Sequence, residues 1–395
     1  MENKQLNLSE PENIMGTMDV NPLLIKLSIP MMISMLVQAL YNVVDSIFVA
    51  RVSENALTAV SLAFSLQNMM FAVGIGTGVG VNALLSKSLG EKNQSRANKT
   101  AENGLFLALC SYLVFLVLGL TVVRPYFYAQ TADADIAEQG IRYLTICCVL
   151  SLGMFMQVMN EKLLAATSRT TLSMISQLVG AIVNIILDPI FIFGYCGEAL
   201  SGTTGAAAAT VIGQFCGCIL ALIFNLKKNK EIHLQFRGFR PNWRLVGNIY
   251  AIGLPSVIMV AIGSVMTFCM NKILIAYHSA KETAATAFGI YFKLNSFIFM
   301  PVFGLNNGVV PIVAYNYGAQ NRLRMVETIK RSTIYASCIM VLGVIIFWAI
   351  PGPLLKIFDA TDTMLQVGVP ALRIISLSFC MAGACIALGL SLIHI

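Results

Sequence analysis

The chain has 395 residues, of which 57% are hydrophobic and only 11% are charged. Soluble domains contain about 25% charged residues, so this composition excludes an ordinary soluble protein. The formal net charge is +7, but the basic residues concentrate in short loops between long apolar runs. That pattern is typical of a polytopic membrane protein and disfavours a nucleic-acid-binding one.

Ten apolar runs are long enough to cross a membrane as helices, since one span needs about 20 residues. No loop between them is long enough for a soluble domain, and the polar start of the chain lacks the pattern of a cleaved signal peptide. The sequence therefore predicts an all-α polytopic membrane protein. The predicted spans are 26–50, 57–85, 102–124, 138–165, 169–195, 203–226, 247–277, 284–316, 328–350 and 363–390.

The first span carries polar side chains on one face, because Gln38, Asn42 and Asp45 are spaced i, i+4 and i+7. A carboxylate inside hydrocarbon costs roughly 2.5–3.5 kcal/mol on insertion scales, so intramembrane acids are candidates for function. We expect this face to look into the bundle interior or a watery cavity, with Gln38 and Asn42 as candidate substrate contacts. Pro30 interrupts the hydrogen-bond ladder of the same span and is a candidate hinge.

The fifth span carries a second intramembrane acid, Asp188, with Asn184 one turn before it. Asp45 lies 19 residues beyond Lys26, and Asp188 lies 19 residues beyond Arg169. At 1.5 Å per residue, both carboxylates lie about 28 Å along their spans. We expect the two acids to meet at one level and to hold a proton or, with amide and hydroxyl oxygens, a sodium ion.

Other polar residues extend this candidate site. Gln177 lies on span 5, and Thr210 and Gln214 are spaced i and i+4 on span 6. The alternative for Asp188 is a cap at the end of span 5 that meets interfacial water. Spans 7–10 contain no Asp or Glu, but span 8 contains Lys293, which either contacts substrate or reaches the interface.

Small and sulfur-containing residues recur inside the spans. The glycines at 74, 76, 78 and 80 resemble a phosphate-binding loop, but they lie within span 2 and lack the Lys-Ser/Thr that follows such a loop. We interpret them as close helix contacts. The cysteines other than Cys196 lie in apolar runs without zinc-ligand spacing and are interpreted as core residues. We expect no cofactor and no metal apart from the coupling ion.

The distribution of Lys and Arg predicts the orientation in the membrane. Sixteen of them lie in the even-numbered loops and four in the odd-numbered ones, with Lys162 and Arg169 assigned to the second even loop. Because positive residues stay on the cytoplasmic side, we expect the even loops and the N-terminus to be cytoplasmic.

The chain repeats itself at a constant numbering offset, which pairs Gly76 with Gly304; a slightly smaller offset pairs Pro30 with Pro255, a second candidate hinge. A repeat of six spans gives two halves that cross the membrane in the same sense. We expect a lobe at 1–226, a cytoplasmic linker at 227–246 and a lobe at 247–395 that is truncated after its fourth helix. Further pairs at the larger offset are Gly80 with Gly308, Gly90 with Gly318, Asn93 with Asn321 and Arg96 with Arg324.

Several motifs together resemble the MATE (multidrug and toxic compound extrusion) family, in its bacterial DinF-like and MepA-like branch. They are the first span with Pro30 and Asp45, NIILDPIFIFG in span 5, GAAAAT at span 6, PIVAYNYGAQN at span 8 and VMNEKLLAATSRT at span 4. The resemblance implies a twelve-helix transporter of two six-helix lobes that exports cationic, amphipathic drugs in exchange for protons or sodium ions. It also implies that Asp45, Asp188, Asn184 and Thr210 bind the coupling cation.

The favoured function is therefore antiport by alternating access across a bacterial inner membrane. We expect a monomer that binds small cationic organic substrates and the lipid bilayer, and no nucleic acid. An alternative is a flippase for a lipid-linked precursor, which needs several intramembrane cations, and within the predicted spans we consider only Lys272 and Lys293 as candidates for that role. We expect no enzymatic activity, because no span contains a histidine that could serve a nucleophile or a metal.

Overall fold

The computed structural model describes residues 13–131, 133–195, 197, 201–235, 239–277, 281–356 and 362–393. Eight helices in this part of the chain are long and apolar enough to cross a membrane, and ten spans result if each of two bent helix pairs counts as one. The predicted all-α polytopic architecture is confirmed. The helices are α1 (Ile14–Thr17), α2 (Val20–Ala50), α3 (Glu54–Gly90), α4 (Gln94–Thr121), α5 (Val123–Gln130), α6 (Ala134–Val149), α7 (Leu152–Ala166), α8 (Thr170–Ile192), α9 (Gly202–Lys227), α10 (Trp243–Tyr277), α11 (Lys281–Gly318), α12 (Arg322–Ala349), α13 (Pro351–Lys356), α14 (Asp362–Ser376) and α15 (Phe379–Ile393).

Two spans are bent where the sequence predicted continuous helices. α6 meets α7 at 47°, and α14 meets α15 at the same angle. At each bend a serine donates through both its hydroxyl and its backbone N–H to the carbonyl three residues earlier: Ser151 Oγ donates to Cys148 O at 2.7 Å, and Ser378 Oγ donates to Ile375 O at 2.8 Å. The two bends lie at equivalent places in the internal repeat.

Glycines join the two halves of the chain at reciprocal positions. A Cβ at Gly76 of α3 would lie 2.2 Å from Val257 Cγ2 of α10, and a Cβ at Gly304 of α11 would lie 2.5 Å from Met32 Cα of α2. Gly304 is the repeat equivalent of Gly76, and Val257 corresponds to Met32 at the smaller offset that also pairs the two prolines. Each half therefore contacts the other through the equivalent surface. The interpretation of these glycines as close helix contacts is confirmed.

A second reciprocal contact joins α3 to α11. A Cβ at Gly90 would lie 2.0 Å from the Tyr315 carbonyl oxygen, and a Cβ at Gly318 would lie 2.1 Å from the Lys87 carbonyl oxygen. Tyr315 is the repeat equivalent of Lys87, just as Gly318 is the equivalent of Gly90. Two such exchanged contacts describe a pseudo-two-fold axis between the halves, which is what a repeat of parallel sense produces.

The described residues of the predicted linker that lie between α9 and α10, 228–235 and 239–242, run along α4. Asn98, Glu102 and Asn103 of α4 each accept a hydrogen bond at 3.0 Å from a backbone N–H of the linker. The linker is thereby bound to the first half of the chain. We call the side of the bundle that carries Asn13, the α3–α4 turn and the linker the linker face.

The interpretation of the cysteines as core residues is wrong for four of them. Cys147 and Cys148 are buried in the first half. On the outer surface of a membrane bundle, hydrocarbon accepts small apolar side chains as readily as a core does. The four exposed cysteines are Cys269, Cys338, Cys380 and Cys385.

Candidate functional site

Helix α8 places Asp188 inside the first half of the bundle. The helix continues past Pro189 and ends at Ile192. Asp188 is completely buried, and Asn184 is only 3% exposed. Asp188 therefore lies within the helix and out of contact with solvent, which contradicts the alternative that it caps the span and meets interfacial water.

Asn184 connects Asp188 to α9. Its Nδ2 donates to Asp188 Oδ1 at 3.2 Å and to Thr210 Oγ1 at 3.4 Å. The two helices come this close because glycines face each other: a Cβ at Gly213 of α9 would lie 2.7 Å from the Gly180 carbonyl oxygen of α8. The small residues of α8 and α9 thus position an amide between a carboxylate and a hydroxyl.

Helix α2 brings Asp45 to the same place. Asp45 is partly buried, and its carboxylate interacts electrostatically with that of Asp188. Tyr41, one turn earlier on α2, interacts with both acids. We call Asp45, Asp188, Asn184 and Thr210 the acid cluster, which three helices of the first half assemble.

The acid cluster contains acceptors without donors. Among the described residues, Asp45 Oδ1, Asp188 Oδ2 and Asn184 Oδ1 are buried and have no hydrogen-bond partner. Buried polar atoms in native structures are nearly always paired. Carboxylate and amide oxygens suit a proton or a hard cation, and no group of three His, Cys, Asp or Glu side chains in the described part of the chain could hold a transition metal.

A second polar layer lies between the acid cluster and the linker face. Gln177 Nε2 of α8 donates to Gln38 Oε1 of α2 at 3.0 Å, and Ser34 donates to the Gln177 side-chain oxygen. The structure thus brings together two of the candidate substrate contacts. Asn42 is exposed and Gln214 is partly buried.

Sequence reasoning missed Glu161 of α7 and placed its neighbour Lys162 in a loop. Glu161 accepts a hydrogen bond from Gln157 Nε2 at 2.9 Å, and Lys162 Nζ donates to Asn307 Oδ1 of α11 at 2.7 Å. The loop position predicted for Lys162 is therefore wrong, and its ammonium group joins the two halves. The signal was available, because both charged residues fall inside the span predicted at 138–165.

The remaining candidates lie apart from the acid cluster along the chain. Pro30 is buried within α2, and Pro255 lies within α10. Each proline removes the donor that would bond the carbonyl four residues earlier, so each weakens its helix locally. Lys293 belongs to α11, but its side chain lies outside the described residues.

The comparisons with known proteins agree with this architecture. A family model described as MatE matches residues 30–190 and 255–392. The multidrug export protein MepA of Staphylococcus haemolyticus strain JCSC1435 is 27% identical over 347 residues, which cover 86% of this chain and 74% of that protein. MepA of Staphylococcus aureus strain MRSA252 is 24% identical over 357 residues, which cover 90% and 77%.

The fold is that of solved transporter structures. An outward-facing multidrug resistance MATE family transporter of the MOP superfamily superposes with a TM-score of 0.91 at 22% sequence identity. The match covers 98% of this chain and 85% of that one. At this identity the likeness establishes the fold alone.

Proposed function

The chain belongs to the MatE family of transporters, and within that family we propose that it is a cation-coupled antiporter for small, cationic, amphipathic compounds. The family consists of transporters and not of enzymes, which confirms the expectation that the chain has no enzymatic activity. The observation that carries the proposal is the acid cluster, where two carboxylates of the first half act on each other electrostatically. Among the described residues, both carboxylates and the Asn184 amide have a buried oxygen that lacks a donor.

Two nearby carboxylates explain how one site can exchange cations. In a medium of low dielectric constant, desolvation and mutual repulsion oppose the ionisation of both Asp45 and Asp188. The pair therefore takes up a proton, or a sodium ion with Asn184 and Thr210 as further ligands. Loading from outside favours release of the substrate outward, and unloading to the cytoplasm completes the cycle.

The substrate class rests on the relatives, two of which are multidrug export proteins by name. Gln38, Asn42, Gln177 and Gln214 supply neutral polar contacts near the acid cluster, and Lys293 is a further candidate. A cationic substrate is attracted by the carboxylates only when the coupling cation has left them. Substrate and coupling cation thus compete for one negative charge.

The arrangement of the halves supports alternating access by rocking. We propose lobes at 1–226 and 247–395, joined by a linker at 227–246, with the linker face in the cytoplasm of a bacterial cell and the chain acting as a monomer in the inner membrane. The excess of Lys and Arg in the even loops persists when Lys162 is removed from the count.

Pro30 supplies a hinge in this scheme, because it lies in α2 between the linker face and Asp45. Pro30→Ala restores a backbone donor and stiffens the helix. We expect the variant to bind the coupling cation normally and to transport several-fold more slowly. Pro22→Ala, in the first turn of α2 where no hydrogen bond is lost, is the matched control. An unchanged transport rate in Pro30→Ala contradicts the hinge.

Transport in proteoliposomes tests the proposal as a whole. A proton gradient and a sodium gradient are imposed separately, and the flux of a fluorescent organic cation is recorded. We expect one gradient to accelerate flux at least about tenfold, and Asp45→Asn or Asp188→Asn to abolish the acceleration. Asp133→Asn, an exposed N-cap of α6 that Asn replaces well, is the control. A flux that changes with neither the proton gradient nor the sodium gradient contradicts the proposal.

A further inference from the structure

The first described residues, Asn13–Met18, form a segment on the linker face that we call the N-terminal strap. It contains the single turn of α1 and leads directly into α2. Met15 is completely buried, and Gly16 lies so close to Tyr315 of α11 that an added Cβ would be 3.1 Å from the ring. The strap is therefore packed into the bundle.

The strap binds the second half of the chain through its backbone carbonyls. Asn316 Nδ2 and Arg324 Nε each donate to the Met15 carbonyl oxygen at 3.1 Å. A further nitrogen of the Arg324 guanidinium donates to the Met18 carbonyl oxygen. One charged side chain thus holds both ends of the helical turn.

The strap binds the first half through Asn13. The Asn13 side-chain oxygen caps α1 and accepts from Ser168 Oγ at 3.3 Å, while its amide nitrogen donates to Glu231 of the linker. Because the strap also continues into α2, its attachment to the first half is covalent as well as polar. Its attachment to the second half consists of hydrogen bonds and packing alone.

The internal repeat shows that the Arg324 contact is not a by-product of the fold. The equivalent residue, Arg96, forms an ion pair with Glu91 at 3.0 Å. The position equivalent to Glu91 is occupied by Ala319, which is exposed and offers no carboxylate. Arg324 therefore lacks the local partner that Arg96 has and reaches the strap carbonyls instead.

We propose that the strap is a latch and that Arg324 and Asn316 are the positioning residues that keep the two halves closed at the linker face. The latch lies far from the acid cluster, since Asp45 is 25 residues beyond Val20 on α2, about 37 Å along the helix. Detachment of the strap from these two side chains opens the linker face. The inference rests on the proposed alternating-access function.

Ala319→Glu tests the latch because it gives Arg324 the partner that Arg96 already has. Spin labels are introduced with noncanonical amino acids at Ser95 and Leu323, two exposed and repeat-equivalent positions on opposite halves of the linker face. Distances between the labels are measured in the full chain in lipid nanodiscs. We expect one short distance in the parent protein and a second population, longer by several ångströms, in Ala319→Glu.

Two further variants complete the experiment. Arg324→Ala should produce the same longer distance between the labels. This variant tests the latch even if Ala319→Glu does not fold. Arg96→Ala, which removes the equivalent arginine but touches no strap residue, should leave the distances of the parent protein. Distances in Ala319→Glu and Arg324→Ala that match the parent protein overturn the latch.

The distances and the flux separate the latch from the proposed function. The distance measurement needs no transport, so longer distances together with gradient-independent flux retain the latch and refute the cation coupling. Unchanged distances together with gradient-driven flux refute the latch and retain the coupling.

Discussion

At the scale of single residues, Asn184 sets the geometry of the acid cluster. Its amide group donates both ways, to a carboxylate on its own helix and to a hydroxyl on the next one. Those two bonds fix the amide plane and direct Asn184 Oδ1 away from both acceptors. This oxygen is one of the three buried acceptors of the acid cluster that have no hydrogen-bond partner among the described residues.

Thr210→Val tests the importance of this orientation, because valine keeps the shape of threonine and loses the hydroxyl. We expect the concentration of coupling cation that gives half-maximal transport to rise by about tenfold, because valine removes a cation ligand that also orients the Asn184 amide. The maximal rate should change little. Thr333→Val, whose hydroxyl bonds only within α12, is the matched control. A half-maximal concentration equal to that of the parent protein contradicts the role.

Much of the site was accessible from the sequence by counting along each predicted span. Asp45 and Asp188 lie equally far from the basic residues at their span ends, which predicted that they share one level in the membrane. In the structure the Asp45 carboxylate acts electrostatically on that of Asp188. Counting does not reveal which helices are neighbours. It therefore gave no contact between Gln177 and Gln38 and no partner for Lys162 on α11.

At the scale of elements, backbone contact at glycines decides how closely α3 and α10 pack. A Cβ at Gly80 would lie 2.2 Å from the Ile249 carbonyl oxygen, a backbone atom that cannot move alone. Even alanine therefore forces the two halves apart at this point.

Gly80→Ala should destabilise the protein by about 1–3 kcal/mol, the usual cost of overpacking a tight contact. Thermal unfolding in detergent measures the effect. Gly247→Ala on α10 is the control, because nothing lies within 4 Å of its added Cβ and alanine favours the helix. Equal unfolding temperatures for the two variants contradict the packing role of Gly80.

Element boundaries followed from the apolar runs, but the bends did not. Neither bend contains a proline: the first lies at Leu150 and Ser151, and the second at Leu377 and Ser378. Serine is common both at bends and inside continuous membrane helices. Composition therefore does not distinguish a bent span from a straight one. Packing against neighbouring helices, which a single span does not encode, selects the bent form.

At the scale of the whole molecule, the repeat predicted the relation between the halves, and the reciprocal glycine contacts confirm it. The repeat did not predict which candidate functional residues each half carries. The acid cluster belongs to the first half alone, and Ala319 breaks the equivalence that would have paired Arg324 locally. The two halves therefore share a scaffold but differ in the polar residues that they place on it.

Helix α2 connects these two asymmetric features. It continues from the N-terminal strap at one end, contains Pro30 along its length and carries Asp45 toward the other end. It packs against α8 of the first half and against α11 of the second half. A change of charge at Asp45 can therefore act on the strap through one continuous helix.

The binding of a fluorescent organic cation to the purified protein, titrated across pH and sodium concentration, tests the central claim most directly. Because two ligands of one site weaken each other reciprocally, the account predicts a substrate Kd that rises at least about tenfold as the coupling cation saturates the acid cluster. In the double variant Asp45→Asn, Asp188→Asn, the Kd should no longer depend on either cation. A Kd of the parent protein that is indifferent to both protons and sodium, or a double variant that keeps the dependence, would contradict the account.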